Sequence, residues 1–83
     1  MKKCFVYMVE CSDGSLYTGW TTDVEARIAA HNSGSGAKYT RSRLPVNLVY
    51  SEEVEDRSAA LKREAAIKKM TRTKKELLIK QGR

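Results

Sequence analysis

The chain has 83 residues, a length that fits a single domain over residues 1–83. Hydrophobic residues make up 41% of it, too many for a disordered tail. The apolar stretches are too short to span a bilayer, so we expect no contact with a membrane. Acidic residues interrupt the first apolar segment and no signal-peptide cleavage site follows, so we expect a cytoplasmic protein.

The net charge of +6 is unevenly distributed along the chain. Residues 1–37 are nearly neutral, and the positive excess lies in residues 38–83. A basic second half suggests a polyanionic partner such as nucleic acid. A solvated basic surface with no such partner explains the charge equally well.

Cys4 and Cys11 are the two cysteines of the chain. A disulfide between them would close a very short loop, and on one extended strand they are too far apart to bridge. With no histidine nearby they also make a poor zinc site. We expect two reduced strand cysteines.

The first predicted element is a β-hairpin, made of residues 4–11 and 15–20, which are rich in β-branched and aromatic side chains. A two-residue loop would place Tyr7 and Tyr17 on opposite faces. A three-residue loop, Ser12 to Gly14 with Gly14 left-handed, places both on one face, with Gly19 opposite Tyr7. We prefer the second register because it segregates apolar residues on the other face. These are Val6, Met8, Leu16 and Trp20.

A capping box of Thr22 and Glu25 predicts a helix to about His31 or Asn32, ended by Gly34. Residues 33–45 read as a basic Gly/Ser-containing loop, and residues 46–54 as a third strand.

Two more helices complete the chain. Asp56 or Ser58 caps one that runs to about Met70, and a box of Thr73 and Glu76 opens a last one to about Lys80. The order β-β-α-β-α-α predicts an α+β fold, a three-stranded antiparallel-type sheet flanked by helices.

The first helix carries Arg27 and His31 four residues apart, beside its apolar positions. Together they could hold a phosphate and transfer a proton near neutral pH. The alternative is an arginine whose stem covers the core and a histidine that caps the helix end. The two tyrosines of the hairpin likewise have a structural alternative as half-buried strand aromatics.

In the second long helix, Glu64 falls within the predicted apolar stripe. That stripe consists of Ala60, Leu61, Ala65 and Ile67. An inward carboxylate is costly unless it is paired or binds a metal, so Glu64 is either an ion-pair partner of Lys68 or a ligand of a divalent cation. The loop before the third strand adds an aromatic and three cations that suit a nucleic-acid backbone or base, or are simply solvated. They are Lys38, Tyr39, Arg41 and Arg43.

These residues in this order resemble the GIY-YIG endonuclease family, in particular its small single-domain members of the UPF0213 kind. Tyr7 in Phe5-Val6-Tyr7 and Tyr17 in Tyr17-Thr18-Gly19 are similar to its two name-giving motifs. Arg27 with His31-Asn32 resembles its helix motif, and Glu64 its metal-binding glutamate. The segment Lys38-Tyr39-Thr40 also fits short members. The resemblance covers roughly residues 3–79.

The resemblance implies a metal-dependent DNA phosphodiester hydrolase. Tyr7 would be the general base, with or without help from His31, and Tyr17 would orient water or phosphate. Arg27 would stabilise the phosphate charge, and Glu64 would hold one Mg²⁺ or Mn²⁺ ion. From the basic residues themselves we expect Lys38, Tyr39, Arg41, Arg43 and Lys68 to contact DNA, including branched or single-stranded forms.

The sequence departs from the family pattern at Phe5 and Thr18, which replace the glycine of the first motif and the isoleucine of the second. Some relatives carry a further asparagine near the end of the core, but here no asparagine follows Asn47. Specificity would come from the basic surface, from DNA shape or from a protein partner. Two further hypotheses are a nucleic-acid-binding module without catalysis and a small adaptor for another protein.

Overall fold

The computed structural model describes residues 3–82 and begins with the predicted hairpin. Strand β1 spans Cys4–Glu10 and strand β2 spans Leu16–Thr21. They pair antiparallel with Tyr7 opposite Gly19 and Val9 opposite Tyr17, and Gly14 has a φ of 84°. The register and the left-handed glycine are those predicted from the three-residue loop.

Strand β3, Asn47–Val54, pairs antiparallel with the other side of β1, so the sheet order is β2-β1-β3. A shift between Met8 and Val9 marks a bulge in this second pairing. Each face of the sheet has its own apolar cluster. One contains Tyr7, Val9, Cys11 and Val46, and the other contains Cys4, Val6, Met8, Ala60 and Ile67. Both cysteines are free, as expected, and both are buried, although Cys11 lies one residue beyond the end of β1.

Helix α1, Val24–Asn32, starts one residue later than the predicted capping box. The N-cap is Asp23, whose carboxylate accepts from the Ala26 N–H at 3.1 Å, so the prediction of Thr22 was wrong. Strand β2 continues to Thr21, and the Thr21 hydroxyl accepts from the Asp23 N–H. The helix therefore begins after Asp23, whose side chain caps it. Gly34 follows the helix with a φ of 88°, as predicted for its end.

The predicted loop contains a single helical turn, α2, Lys38–Arg41. Four residues are too few to show helical periodicity, so the sequence did not indicate it. The amide of Asn32 fixes the far end of this segment, because it donates to the Val46 carbonyl at 3.1 Å and accepts from the Val46 N–H at 2.7 Å.

Helix α3, Arg57–Lys68, is capped by Asp56, one of the two predicted residues. It ends before Met70, so helix α4, Arg72–Gln81, begins early and its N-cap is Thr71 and not Thr73. In α3, the buried residues are Ala60 and Ile67, the positions that face the sheet directly.

The predicted apolar stripe of α3 was too wide. Two of its members, Leu61 and Ala65, are exposed, Leu61 by 46%. The order of the main elements and the antiparallel sheet nevertheless confirm the predicted α+β fold, with α2 as an addition. Within residues 3–82, no helix is long and apolar enough to cross a membrane.

Candidate active site

The Tyr7 hydroxyl lies at the centre of a polar cluster inside the fold. Tyr7 is 1% exposed, and its oxygen is 2.8 Å from His31 Nε2. The same oxygen accepts from Arg27 Nε at 3.4 Å. A Cβ atom on Gly19 would stand 2.6 Å from this oxygen, so the glycine opposite Tyr7 provides the space that the hydroxyl occupies. The two groups predicted on helix α1 therefore reach the first tyrosine.

His31 is fully buried and uses both ring nitrogens. Nε2 contacts Tyr7, and Nδ1 is 2.9 Å from the hydroxyl oxygen of Thr40 in α2. The Tyr17 ring meets the imidazole edge-on, with the ring centres 5.5 Å apart. The alternative in which His31 caps its own helix was wrong, because the side chain points into the core.

The pKa values of Tyr7 and His31 move in opposite directions for the same reason. Burial raises the pKa of Tyr7, and the hydrogen bond and charge of Arg27 only partly oppose it. Burial lowers the pKa of His31, and the charge of Arg27 lowers it further. Both shifts favour a neutral phenol beside a neutral imidazole at pH 7.

Glu64 and Lys68 bring helix α3 to the same cluster. The Glu64 side chain is 17% exposed and forms an ion pair with Lys68 at 3.2 Å. Its charge is close enough to contribute to the raised pKa of Tyr7. The Lys68 ammonium lies 6.0 Å from the centre of the Tyr17 ring. The ion pair expected as the structural alternative is formed, and it stands beside both tyrosines.

A metal site here would rest on very few protein ligands. Among residues 3–82, no group of three or more His, Cys, Asp or Glu side chains is arranged to hold a metal ion. A single inward carboxylate whose partner is a flexible lysine fits Mg²⁺ or Mn²⁺, which retain several water ligands.

The basic loop forms one margin of this cluster. The Tyr39 ring stacks on Tyr17, with centres 5.8 Å apart and planes at 21°. The Arg43 guanidinium lies 4.0 Å from the centre of the Tyr39 ring and binds the Asp13 carboxylate at 3.1 Å. Lys38 and Arg41 are exposed and form no ion pair with any residue in the described range.

Two residues of this cluster have no counterpart in the sequence-based candidates. Asp13 was interpreted only as a turn residue, and Thr40 only as part of a short motif. A threonine in a basic loop carries no sequence signal for burial against a histidine nine positions away. Only the helical turn α2 brings it there.

The comparisons with known proteins agree with the fold and with the family that the sequence resembles. The model of the GIY-YIG catalytic domain matches residues 3–77. A UPF0213 protein of Haloquadratum walsbyi is 62% identical over 94% of this chain and 88% of its own. One from Syntrophus aciditrophicus is 60% identical over 99% of this chain and 95% of its own.

Solved structures show the same fold. The solution NMR structure of a UPF0213 protein from Bacillus halodurans is 47% identical, with a TM-score of 0.62, covering 95% of this chain and 84% of that one. The solution NMR structure of a protein from E. faecalis is 48% identical, with a TM-score of 0.66, and the match covers 98% of this chain and 86% of that one. The class is thus that of the GIY-YIG nucleases, which act on DNA and generally depend on a divalent metal ion. This chain belongs to the GIY-YIG family and is similar throughout to its UPF0213 members.

Proposed function

We propose that this chain is a metal-dependent endonuclease that hydrolyses DNA phosphodiester bonds, with selectivity for DNA structure or weak sequence specificity. The observation that carries the proposal is the Tyr7 hydroxyl, which is held between an imidazole and a guanidinium and feels the charge of the mostly buried Glu64. A base, a cation and a carboxylate around one position are what phosphodiester hydrolysis requires. The proposal includes residues 1–83 acting as one domain in the cytoplasm, where free cysteines such as Cys4 and Cys11 persist.

In this mechanism Tyr7 and His31 act as a pair. A phenol with a raised pKa is not ionised at neutral pH, so Tyr7 needs a group that accepts its proton when it takes one from water. His31 Nε2, 2.8 Å away, is that group. The version of the mechanism in which His31 helps the tyrosine is therefore the one we propose.

Arg27 and Tyr17 act on the phosphate. Arg27 uses Nε on the Tyr7 oxygen, which leaves its terminal nitrogens for the negative charge that develops on the phosphate. Tyr17, whose ring packs edge-on to His31, orients the attacking water or the phosphate.

Glu64 would hold the Mg²⁺ or Mn²⁺ ion. When bound, such an ion supplies Lewis-acid stabilisation of the phosphate and of the leaving oxygen. Lys68, the present partner of Glu64, would be released toward the DNA.

DNA would reach the site along the basic loop. Lys38 and Arg41 offer exposed charges, whereas Arg43 and Lys68 are engaged by Asp13 and Glu64. Tyr39 and Arg43 form the margin on which a branched or single-stranded DNA would rest. A protein partner that adds specificity is compatible with so small a contact surface, and the proposal fixes no oligomeric state.

The test is cleavage of single-stranded, duplex, flapped and branched DNA by wild type, Glu64→Gln and Tyr7→Phe, with EDTA, Mg²⁺ or Mn²⁺. We expect metal-dependent cleavage by wild type and a loss of about 100-fold or more in both variants. Glu55→Gln is the matched control, because Glu55 is exposed and lies outside the site. It should cleave like wild type.

Each other outcome points elsewhere. Cleavage by Glu64→Gln at the wild-type rate would show that the metal is held at another place. DNA binding that weakens with salt, without product under any metal, would identify a binding module. Salt-insensitive association with an acidic protein and no DNA binding would identify an adaptor.

A further inference from the structure

Thr40 is buried against His31 and has its own acceptor. Both residues are 0% exposed. The Thr40 hydroxyl is 2.9 Å from His31 Nδ1 and donates to the Ala37 carbonyl, also at 2.9 Å. Gly36 closes the same loop over the imidazole, because a Cβ atom there would stand 2.7 Å from His31 Cα. The loop thus holds Thr40 against one side of the ring.

The positions of the hydrogens follow from counting donors. A threonine hydroxyl has one hydrogen, and here the Ala37 carbonyl receives it. The oxygen then presents only lone pairs to Nδ1, so Nδ1 carries a hydrogen. In a neutral imidazole the other nitrogen, Nε2, is then the acceptor, and the Tyr7 hydroxyl donates to it.

The opposite tautomer leaves the network worse satisfied. With a hydrogen on Nε2, the Tyr7 oxygen would receive hydrogens from both His31 and Arg27. Its own hydrogen would then have no acceptor among the bonds formed by the described residues, in a side chain that is 1% exposed. An unprotonated Nδ1 would require the Thr40 hydroxyl to turn its hydrogen from the Ala37 carbonyl to the ring. Among the described residues, the other donor to Nδ1 is the Ala37 N–H at 3.4 Å, a longer contact than the three bonds of the first arrangement.

We propose that Thr40 is a positioning residue that fixes the tautomer of His31, so that Nε2 is the proton acceptor for Tyr7. Its effect on catalysis rests on the proposed function, but the tautomer itself does not. The groups that face the imidazole are Tyr7 from β1, Tyr17 from β2, Arg27 from α1 and Thr40 from α2. Thr40 is the one that contacts Nδ1 through a side chain.

Histidine-selective ¹⁵N NMR tests the tautomer directly, because His31 is the only histidine of the chain. At neutral pH, wild type should show a protonated Nδ1 and an unprotonated Nε2. Thr40→Ser keeps the hydroxyl and should keep this pattern, whereas Thr40→Val keeps the shape and should lose it. A protonated Nε2 in wild type would overturn the proposal, as would an unchanged pattern in a folded Thr40→Val. If Thr40→Val does not fold, Thr40→Ala, which also removes the hydroxyl, takes its place in the same comparison.

Cleavage kinetics then test the consequence for catalysis. Thr40→Val should lower kcat about 10- to 100-fold with little change in KM, and Thr40→Ser should restore most of the loss. Equal kcat values for wild type and Thr40→Val would refute the positioning role. If wild type cleaves no DNA, the nuclease proposal fails while the NMR result on the tautomer stands.

Discussion

Thr18 is a polar residue in an apolar place. It stands on the sheet face that carries Val6 and Met8, is 3% exposed, and replaces the isoleucine of the family motif. Its hydroxyl is the one buried side-chain polar atom without a hydrogen-bond partner within residues 3–82. An unpaired buried hydroxyl lowers stability, because it loses water and gains no bond in return.

We therefore expect Thr18→Val, which removes the hydroxyl and keeps the shape, to stabilise the fold by about 1 kcal/mol. Urea unfolding followed by circular dichroism measures this free energy. Thr73→Val, an exposed position on α4, is the control and should change little. A Thr18→Val protein less stable than wild type would mean that the hydroxyl has a partner in solution.

At the scale of the elements, Asn32 joins helix α1 to the start of β3. Its amide binds both the N–H and the carbonyl of Val46, a residue that is 1% exposed. Removing the amide leaves both backbone groups without these partners. The segment between them, which contains α2 and Thr40, would lose the hydrogen bonds that hold its far end to α1.

Asn32→Ala should cost about 1–3 kcal/mol of unfolding free energy, on the scale of unsatisfied buried groups. Asn47→Ala, one residue beyond Val46 and exposed, should cost far less. Chemical denaturation of both variants measures the difference. An Asn32→Ala loss as small as that of Asn47→Ala would show that water replaces the amide at Val46.

The sequence predicted the local elements, but not the contacts that the loop before β3 makes. The hairpin register followed from a loop with a left-handed glycine and from the segregation of apolar residues on one face, and the structure confirms it. Short-range patterns also predicted the three long helices, but chose the wrong cap for α1 and α4, because neighbouring threonines and aspartates offer equivalent spacing. The contacts of Thr40 with His31 and of Arg43 with Asp13 depend on the path of a loop, for which no periodicity exists.

At the scale of the whole molecule, the charge asymmetry predicts how binding responds to salt. Each cation that neutralises a DNA phosphate adds about one to the slope of log affinity against log salt. Lys38→Gln and Arg41→Gln should each reduce that slope by about one. Lys80→Gln, an exposed position on α4, changes the net charge equally and should leave the slope unchanged if DNA follows the loop.

Fluorescence anisotropy with a labelled oligonucleotide, over a series of salt concentrations, gives the three slopes. Equal reductions in all three variants would place DNA on a diffuse positive surface and not along the loop. A reduction confined to Lys80→Gln would move the contact to α4.

The line from Tyr7 through His31 to Thr40 is almost entirely shielded from solvent. In larger enzymes, reacting groups often lie on loops that a separate scaffold supports, so that the loops and the scaffold can each be mutated with little effect on the other. Here the side chains that would move a proton also fill the space between sheet, helix and loop. The positions that tolerate substitution least should therefore be the same for folding and for turnover. Substitutions meant to stabilise the protein without altering its chemistry belong on the opposite face of the sheet.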